Sequence, residues 1–498
     1  MELKSAGNLW LQEELGLKPF PITHRSYIGS NDKIELAPNG GIIQIYGPKY
    51  SPSSDTAIMH LEFALKYDDL NLFFLKKVFE IIDPKEILDY IHHSPSGKYV
   101  RKIGFLYEFL TGKELNLTVE ITGNYTDLLE ASDYATGDIV KDKRWKINNN
   151  LLGTPDFCPV VRRTNRLNSL LGLDIKVGIE KLKQAFTPEI FRRATNYLYS
   201  KETRSSYEIE KEKPSPQRME RFISLLMLAG KESSEEVLSE NKLTELQNAI
   251  VDPRFSAPGF RDFQNYIGMN LPGYADQVEY ICPPPQYVAR LMKGLKKIPG
   301  TTQSTPAMIR AALVAFGFVF IHPFEDGNGR LHRFLIHDML VRDGLVTDGL
   351  IIPVSAHLLN HIKEYDQTLE NFSKPLMSMI KYSKNDKGEI TVDNSEEIEG
   401  YFRFPDLTDQ STFLARTIEA TLTEDMPEEL LFIQRYDELK AEIQNIVDMP
   451  DKAINNMIIF LHQNKGSFPK RRRNDFAKLS DQEIEDMENV YKAIFGIN

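Results

Sequence analysis

The chain of 498 residues carries 60 Lys+Arg against 71 Asp+Glu, a formal net charge of -11, with 41% apolar residues and two cysteines. That length exceeds what one core serves and predicts two or three domains, the apolar share excludes disorder, and the acidic balance argues against a whole-protein nucleic-acid footprint. Cys158 and Cys282 cannot build a disulfide scaffold or a paired thiolate metal site, so a reducing compartment is expected, with the cytoplasm as default. The N-terminus lacks a signal-type apolar segment and no run reaches spanning length, so no membrane segment is expected.

In chain order, residues 40–47 read as a short strand, followed by amphipathic helices. Leu72, Leu75, Val78, Phe79 and Ile82 share one face, and Ile103, Leu106, Phe109 and Leu110 share another before Gly112. Scattered Gly, Pro, Asn and Asp make 113–165 irregular, and residues 1–180 are taken as an N-terminal region. Helical spacing resumes through Ile190, Ala194, Tyr197 and Leu198, is interrupted by Pro214 and Pro216, and continues to about Tyr382, giving a middle domain over 181–385. The apolar run 311–321 reads as a buried helix. The polar stretch 383–388 marks a boundary, and helices over 412–423, 428–447, 452–463 and 481–495 make a C-terminal domain over 386–498; Ser480 with Glu483 forms a capping box for the last. No fixed-period repeat is present.

The chemistry concentrates between His322 and Arg333. Gly327 and Gly329 allow a tight turn whose N–H groups, with the start of the following helix, form an anion site that suits phosphate. Arg330 and Arg333, three apart, project from nearly one helix face and can clamp phosphate oxygens. Asp326 is a hard oxygen ligand suited to Mg2+ riding on a polyphosphate, and a neutral His322 could accept the proton of an attacking hydroxyl. Together these residues point to phosphoryl-group transfer.

The run His322-Pro323-Phe324-Glu325-Asp326-Gly327-Asn328-Gly329-Arg330, with Arg333, resembles the signature of the Fic family at every fixed position. The resemblance implies a mainly α fold: a helical core with a β-hairpin flap, flanked by a mixed N-terminal region and a helical C-terminal one. It implies that His322 is the general base, that Asp326 holds Mg2+, and that the 327–329 turn is an anion hole in which Asn328 helps hold the α-phosphate of ATP. Arg330 and Arg333 would bind the outer phosphates and Phe324 would anchor the loop. AMP would pass from ATP to a protein hydroxyl and pyrophosphate would leave. In the same likeness Tyr280, Ile281 and Cys282 belong to the flap that aligns a target chain, residues 264–268 pack the core, and Tyr365 lies against adenine. Ser206 and Glu210 match an inhibitory helix in which Glu210 pairs with Arg333, although Lys211 stands where glycine or asparagine is usual.

Several signals are set aside. His357 and His361 lack the glutamate of a zinc-protease helix, His332 and His337 read as core or surface residues, and the basic run 470–473 reads as a solvated linker between acidic helices and not as a nucleic-acid surface. Three other readings stay open: removal of AMP with Glu210 orienting a water, another nucleotide donor, and a nucleotide-sensing binding protein. The target, self-modification and homo-oligomerisation are not decided by the sequence.

Overall fold

The computed structural model describes residues 3–17, 20–36, 41–269, 277–346 and 349–496. It is mainly helical, 58% helix and 9% strand, as expected of a helical Fic-type core. Apolar side chains gather in three principal cores.

The first core is N-terminal. A four-stranded sheet runs in the order Lys4–Ala6, His24–Ile28, Ile42–Tyr46, Lys33–Leu36, with the middle pair parallel. The helices Leu72–Ile81 and Lys98–Thr111 pack the stripes named above into the first core, Phe109 only in part, and Gly112 ends the second at φ 70, a left-handed cap that glycine adopts without strain. Trp145, fully buried, donates its indole N–H to Glu108 at 2.8 Å and packs against Gly104, where a Cβ would stand 2.1 Å from a ring carbon. Gly104→Ala should therefore destabilise this core by about 3 kcal/mol, read as a lower denaturation midpoint of the Trp fluorescence signal.

The second core holds the apolar helix Ala307–Ile321, in which every residue after Ala307 is buried, packed along the helix Asn328–Arg342. The hairpin Tyr266–Met269 with Gln277–Ile281 is antiparallel, with an irregularity at Ile267/Gly268. Residues 264–268, expected to pack the core, lead into this hairpin and begin its first strand; Tyr266 packs against the second core, whereas Ile267 is exposed. The helix Pro188–Ile209 lies across the second core and ends before Pro214, as the prolines require.

The division expected at 386 is not where the cores part. Residues 383–388 belong to a small hairpin, Tyr382–Lys384 with Ile390–Val392, and Ile398, Phe402, Phe413 and Ile418 beyond it still pack into the second core. From Thr408 the chain stays helical through a wide turn at Thr421–Asp425 into Met426–Ile446, accommodating Pro427 at the start of the latter. The third core begins at Leu439 and unites that helix with Asp451–Gln463 and Asp481–Phe495, the last carrying the expected capping box. Lys201 with Glu429 and Arg193 with Asp437 tie the Pro188–Ile209 helix to Met426–Ile446. Among the described residues no helix is long and apolar enough to cross a membrane.

Candidate functional site

The site forms where the apolar helix stops. His322 caps it in the left-handed region at φ 51, a conformation costly for a side chain with a Cβ, and the following Pro323 disfavours continuation of the helix. The His322 Nδ1 lies 3.1 Å from the Val319 carbonyl, which can only accept, so Nδ1 carries the hydrogen and Nε2 keeps a lone pair. Burial lowers the His322 pKa to about 4, and the neighbouring Arg261 charge pushes the same way, so the imidazole is neutral near pH 7.

Phe324, fully buried and edge-on to Phe260, anchors the loop as expected. Gly327 takes φ 87. The first helical bond runs from the Leu331 N–H to the Gly327 carbonyl at 3.0 Å, so the N–H groups of Asn328, Gly329 and Arg330 have no acceptor within the helix. That is an anion hole at the positive end of a fifteen-residue helix. The Asn328 side chain does not face it. Its amide exchanges bonds with the Phe324 backbone, Nδ2 to the carbonyl at 2.9 Å and Oδ1 from the N–H at 3.1 Å, so Asn328 offers a phosphate its main chain while its side chain braces the turn.

Both arginines are buried and both are engaged by carboxylates. Arg333 donates from Nε to the Ser206 hydroxyl at 2.7 Å, and from Nη2 to the Ser206 carbonyl at 2.7 Å and Glu210 at 2.8 Å. Burial is the largest single influence and opposes its charge, but Glu210, Tyr365 and Glu202 together prevail and the pKa rises above its ordinary value. The Glu210 carboxylate also lies over the turn, since a Cβ on Gly329 would stand 2.1 Å from its Oε1. Arg330 meets a second carboxylate, that of Glu212. Its Nη2 lies 2.9 Å from Glu212 Oε1 and its Nη1 donates to Oε2 at 3.2 Å, while Arg218 holds Glu212 at 2.8 Å. The guanidinium groups of Arg218 and Arg330 both lie over the Tyr207 ring, at 5.1 and 5.3 Å. Arg330 Nε and Arg333 Nη1, both buried, have no hydrogen-bond partner among the described residues, leaving donor capacity for an incoming anion.

Asp326 Oδ1 accepts from Arg330 at 2.7 Å and from the Gly327 N–H at 2.6 Å. Among the described residues no group of three or more His, Cys, Asp or Glu could cage a metal. One carboxylate fits only a cation that brings other ligands with it, as magnesium on a polyphosphate does.

Tyr365 is 4% exposed, near the rings of His332 and Phe413 and beside the Arg333 guanidinium, and burial pushes its phenol up to about 12. Tyr280, Ile281 and Cys282 are the buried root of the hairpin, and the Tyr280 hydroxyl bonds the Phe320 carbonyl; the exposed positions lie further out, at Ile267, Gln277 and Glu279. His337 bonds the buried Glu202 at 2.7 Å, one turn before Ser206 on its helix. His357 and His361 stack at 4.2 Å, with His357 bonded to Asp425. In the basic run, Arg472 pairs with Asp475 and Arg473 with Asp481. Two braces carried no local signal: Gln247, which bonds the Asp326 carbonyl at 3.2 Å, and Arg261, which bonds the His322 carbonyl at 2.8 Å.

The family model described as Fic/DOC matches residues 237–340. Among solved structures, a Fic family protein from Desulfovibrio desulfuricans is 15% identical over 68% of this chain and 85% of its own, with a TM-score of 0.37. A Fic domain containing signaling protein from Bacteroides thetaiotaomicron is 16% identical over 52% of this chain and 96% of its own, with a TM-score of 0.33. No curated protein matches the chain.

Proposed function

We propose, on the premise that this chain carries a Fic/DOC family domain at residues 237–340, that it transfers AMP from ATP to a protein hydroxyl and holds itself inactive through Glu210. The observation that carries this reading is a carboxylate seated on the phosphate site: Glu210 pairs with Arg333 at 2.8 Å beside the open N–H groups of residues 328–330. An anion site already filled by the chain's own anion is an anion site with a stopper. In the transfer, the acceptor hydroxyl attacks the α-phosphorus and its proton passes to His322 Nε2. The bond to the bridging oxygen breaks, and pyrophosphate leaves from Arg330 and Arg333. Asp326 would hold magnesium, which when bound neutralises charge on the phosphates.

Glu212 extends the same logic. With Glu210 on Arg333 and Glu212 on Arg330, each arginine is neutralised by the segment that follows the Pro188–Ile209 helix. The seal is imperfect at Lys211, held at φ 57 where the family favours glycine or asparagine. Lys211→Gly removes about 1 kcal/mol of left-handed strain from the inhibited geometry and should lower basal transfer about fivefold, measured as initial rate. The test of the reaction is paired labelling. Label on the ATP α-phosphate should appear on protein and label on the γ-phosphate should not; equal transfer of both, or of neither in the Glu210→Gly protein, would refute it.

A further inference from the structure

Arg261 is 5% exposed, and its polar contacts all go to main-chain carbonyls. Its own N–H donates to the Pro323 carbonyl at 2.8 Å and its Nε to the His322 carbonyl at 2.8 Å. Nη1 reaches the Phe263 carbonyl at 2.8 Å, and Nη2 reaches those of Pro283 at 2.6 Å and Ile321 at 3.4 Å. No carboxylate pairs with it in any salt bridge among the described residues. A guanidinium kept in the interior without a counter-ion is expensive, and a lysine could supply charge but not a planar fork reaching several acceptors at once.

The carbonyls it gathers come from two places. Ile321, His322 and Pro323 are the end of the apolar helix and the catalytic turn; Phe263 and Pro283 flank the two strands of the hairpin. Neighbouring bonds reinforce the join, with Gln264 Nε2 on the Cys282 carbonyl at 2.7 Å and Asn265 Nδ2 on the Phe324 carbonyl at 3.2 Å. His322 needs such support, because a left-handed histidine persists only where its surroundings over-determine it. The Val319 carbonyl fixes the ring from one side, and Arg261 fixes the backbone from the other.

We propose that Arg261 is a positioning residue: its fork fastens the root of the hairpin to the left-handed His322, so that a target strand laid on the hairpin arrives in register with the imidazole. The inference rests on His322 as the base of the transfer proposed above. Arg261 donates to main-chain carbonyls alone, so its loss should act on turnover and leave ATP binding alone.

The variants are Arg261→Lys and Arg261→Met in the Glu210→Gly protein. A displacement near 1 Å at a reacting group costs on the order of a hundredfold, so turnover should fall about 30- to 100-fold in the lysine variant while the ATP Kd stays within about twofold. Turnover at the parental rate, or ATP affinity falling in step with turnover, would overturn the assignment. The imidazole resonances of His322 decide the matter without turnover and without the methionine variant folding. With Arg261 they should show a single Nδ1–H tautomer, and in Arg261→Lys a shifted or exchange-broadened signal. Unchanged resonances would overturn the assignment. Absence of transfer in the Glu210→Gly parent would count against the transfer reaction, while the resonances would still decide Arg261.

Discussion

Glu210→Gly should raise transfer of α-phosphate label to protein about 10- to 100-fold, the gain expected from releasing one part-buried charge-assisted contact worth about 1.5–3 kcal/mol. The substitution does two things at once. It frees Arg333 Nη2, now shared between Glu210 and the Ser206 carbonyl, to reach a phosphate oxygen, and it clears the carboxylate from above Gly329. Arg330 would still be held by Glu212, so adding Glu212→Gln should give a further increase, about tenfold, with a matching fall in ATP Kd. A single-lock mechanism predicts no such second step. The opposite sign is equally informative: were Glu210 the residue that orients a water for removing AMP, the glycine variant would lose activity. Initial rates with labelled ATP, and release of label from a pre-modified protein, separate the two.

The motif was readable because its parts are contiguous: two glycines, an acid and two arginines at helical spacing specify a turn, an anion hole and a clamp from their own local rules. Glu210 was reached through the resemblance to an inhibitory helix, and the four-residue spacing from Ser206 gives that likeness its physical sense, since both then share one helical face. Glu212 is two further on, past the left-handed Lys211, where helical spacing no longer applies, and its pairing with Arg330 follows from the turn alone. Arg261 could not be found by pattern, because its acceptors are carbonyls up to sixty-two positions away and carbonyls carry no side-chain signature. Tyr365 was placed against adenine by resemblance alone, because helical periodicity marks a face without saying whether the core or a ligand covers it. The cores divide past residue 386 for the same reason. The helix over 412–423 and the buried helix over 311–321 were each legible, and their packing against one another, through Phe413 and Ile418, was not.

His322→Ala in the Glu210→Gly background should reduce transfer by about 10^2- to 10^4-fold, the range for removing a general base, and leave the ATP Kd within about twofold. The separation follows from where the groups sit. The phosphates are to be held by the N–H groups of 328–330 and by Arg330 and Arg333, on the helix after the turn, whereas His322 ends the helix before it. A nucleotide-sensing protein would keep its biological effect in this variant, so persistence of that effect would favour the binding reading. The intact base also predicts the pH profile. Glu210 and Asp326 favour the protonated imidazole, but burial prevails and Arg261 adds to it, holding the pKa at about 4. The reactive form is the neutral one, so the rate should be flat from pH 8 to about 5 and fall only as the pH drops through about 4. Glu210→Gly removes one of the two carboxylates that favour protonation, so the acid limb of that variant should lie no higher than the parent's. A limb near the ordinary histidine value of about 6.5 would mean that His322 is solvated and is not the buried base that this turn is built to hold.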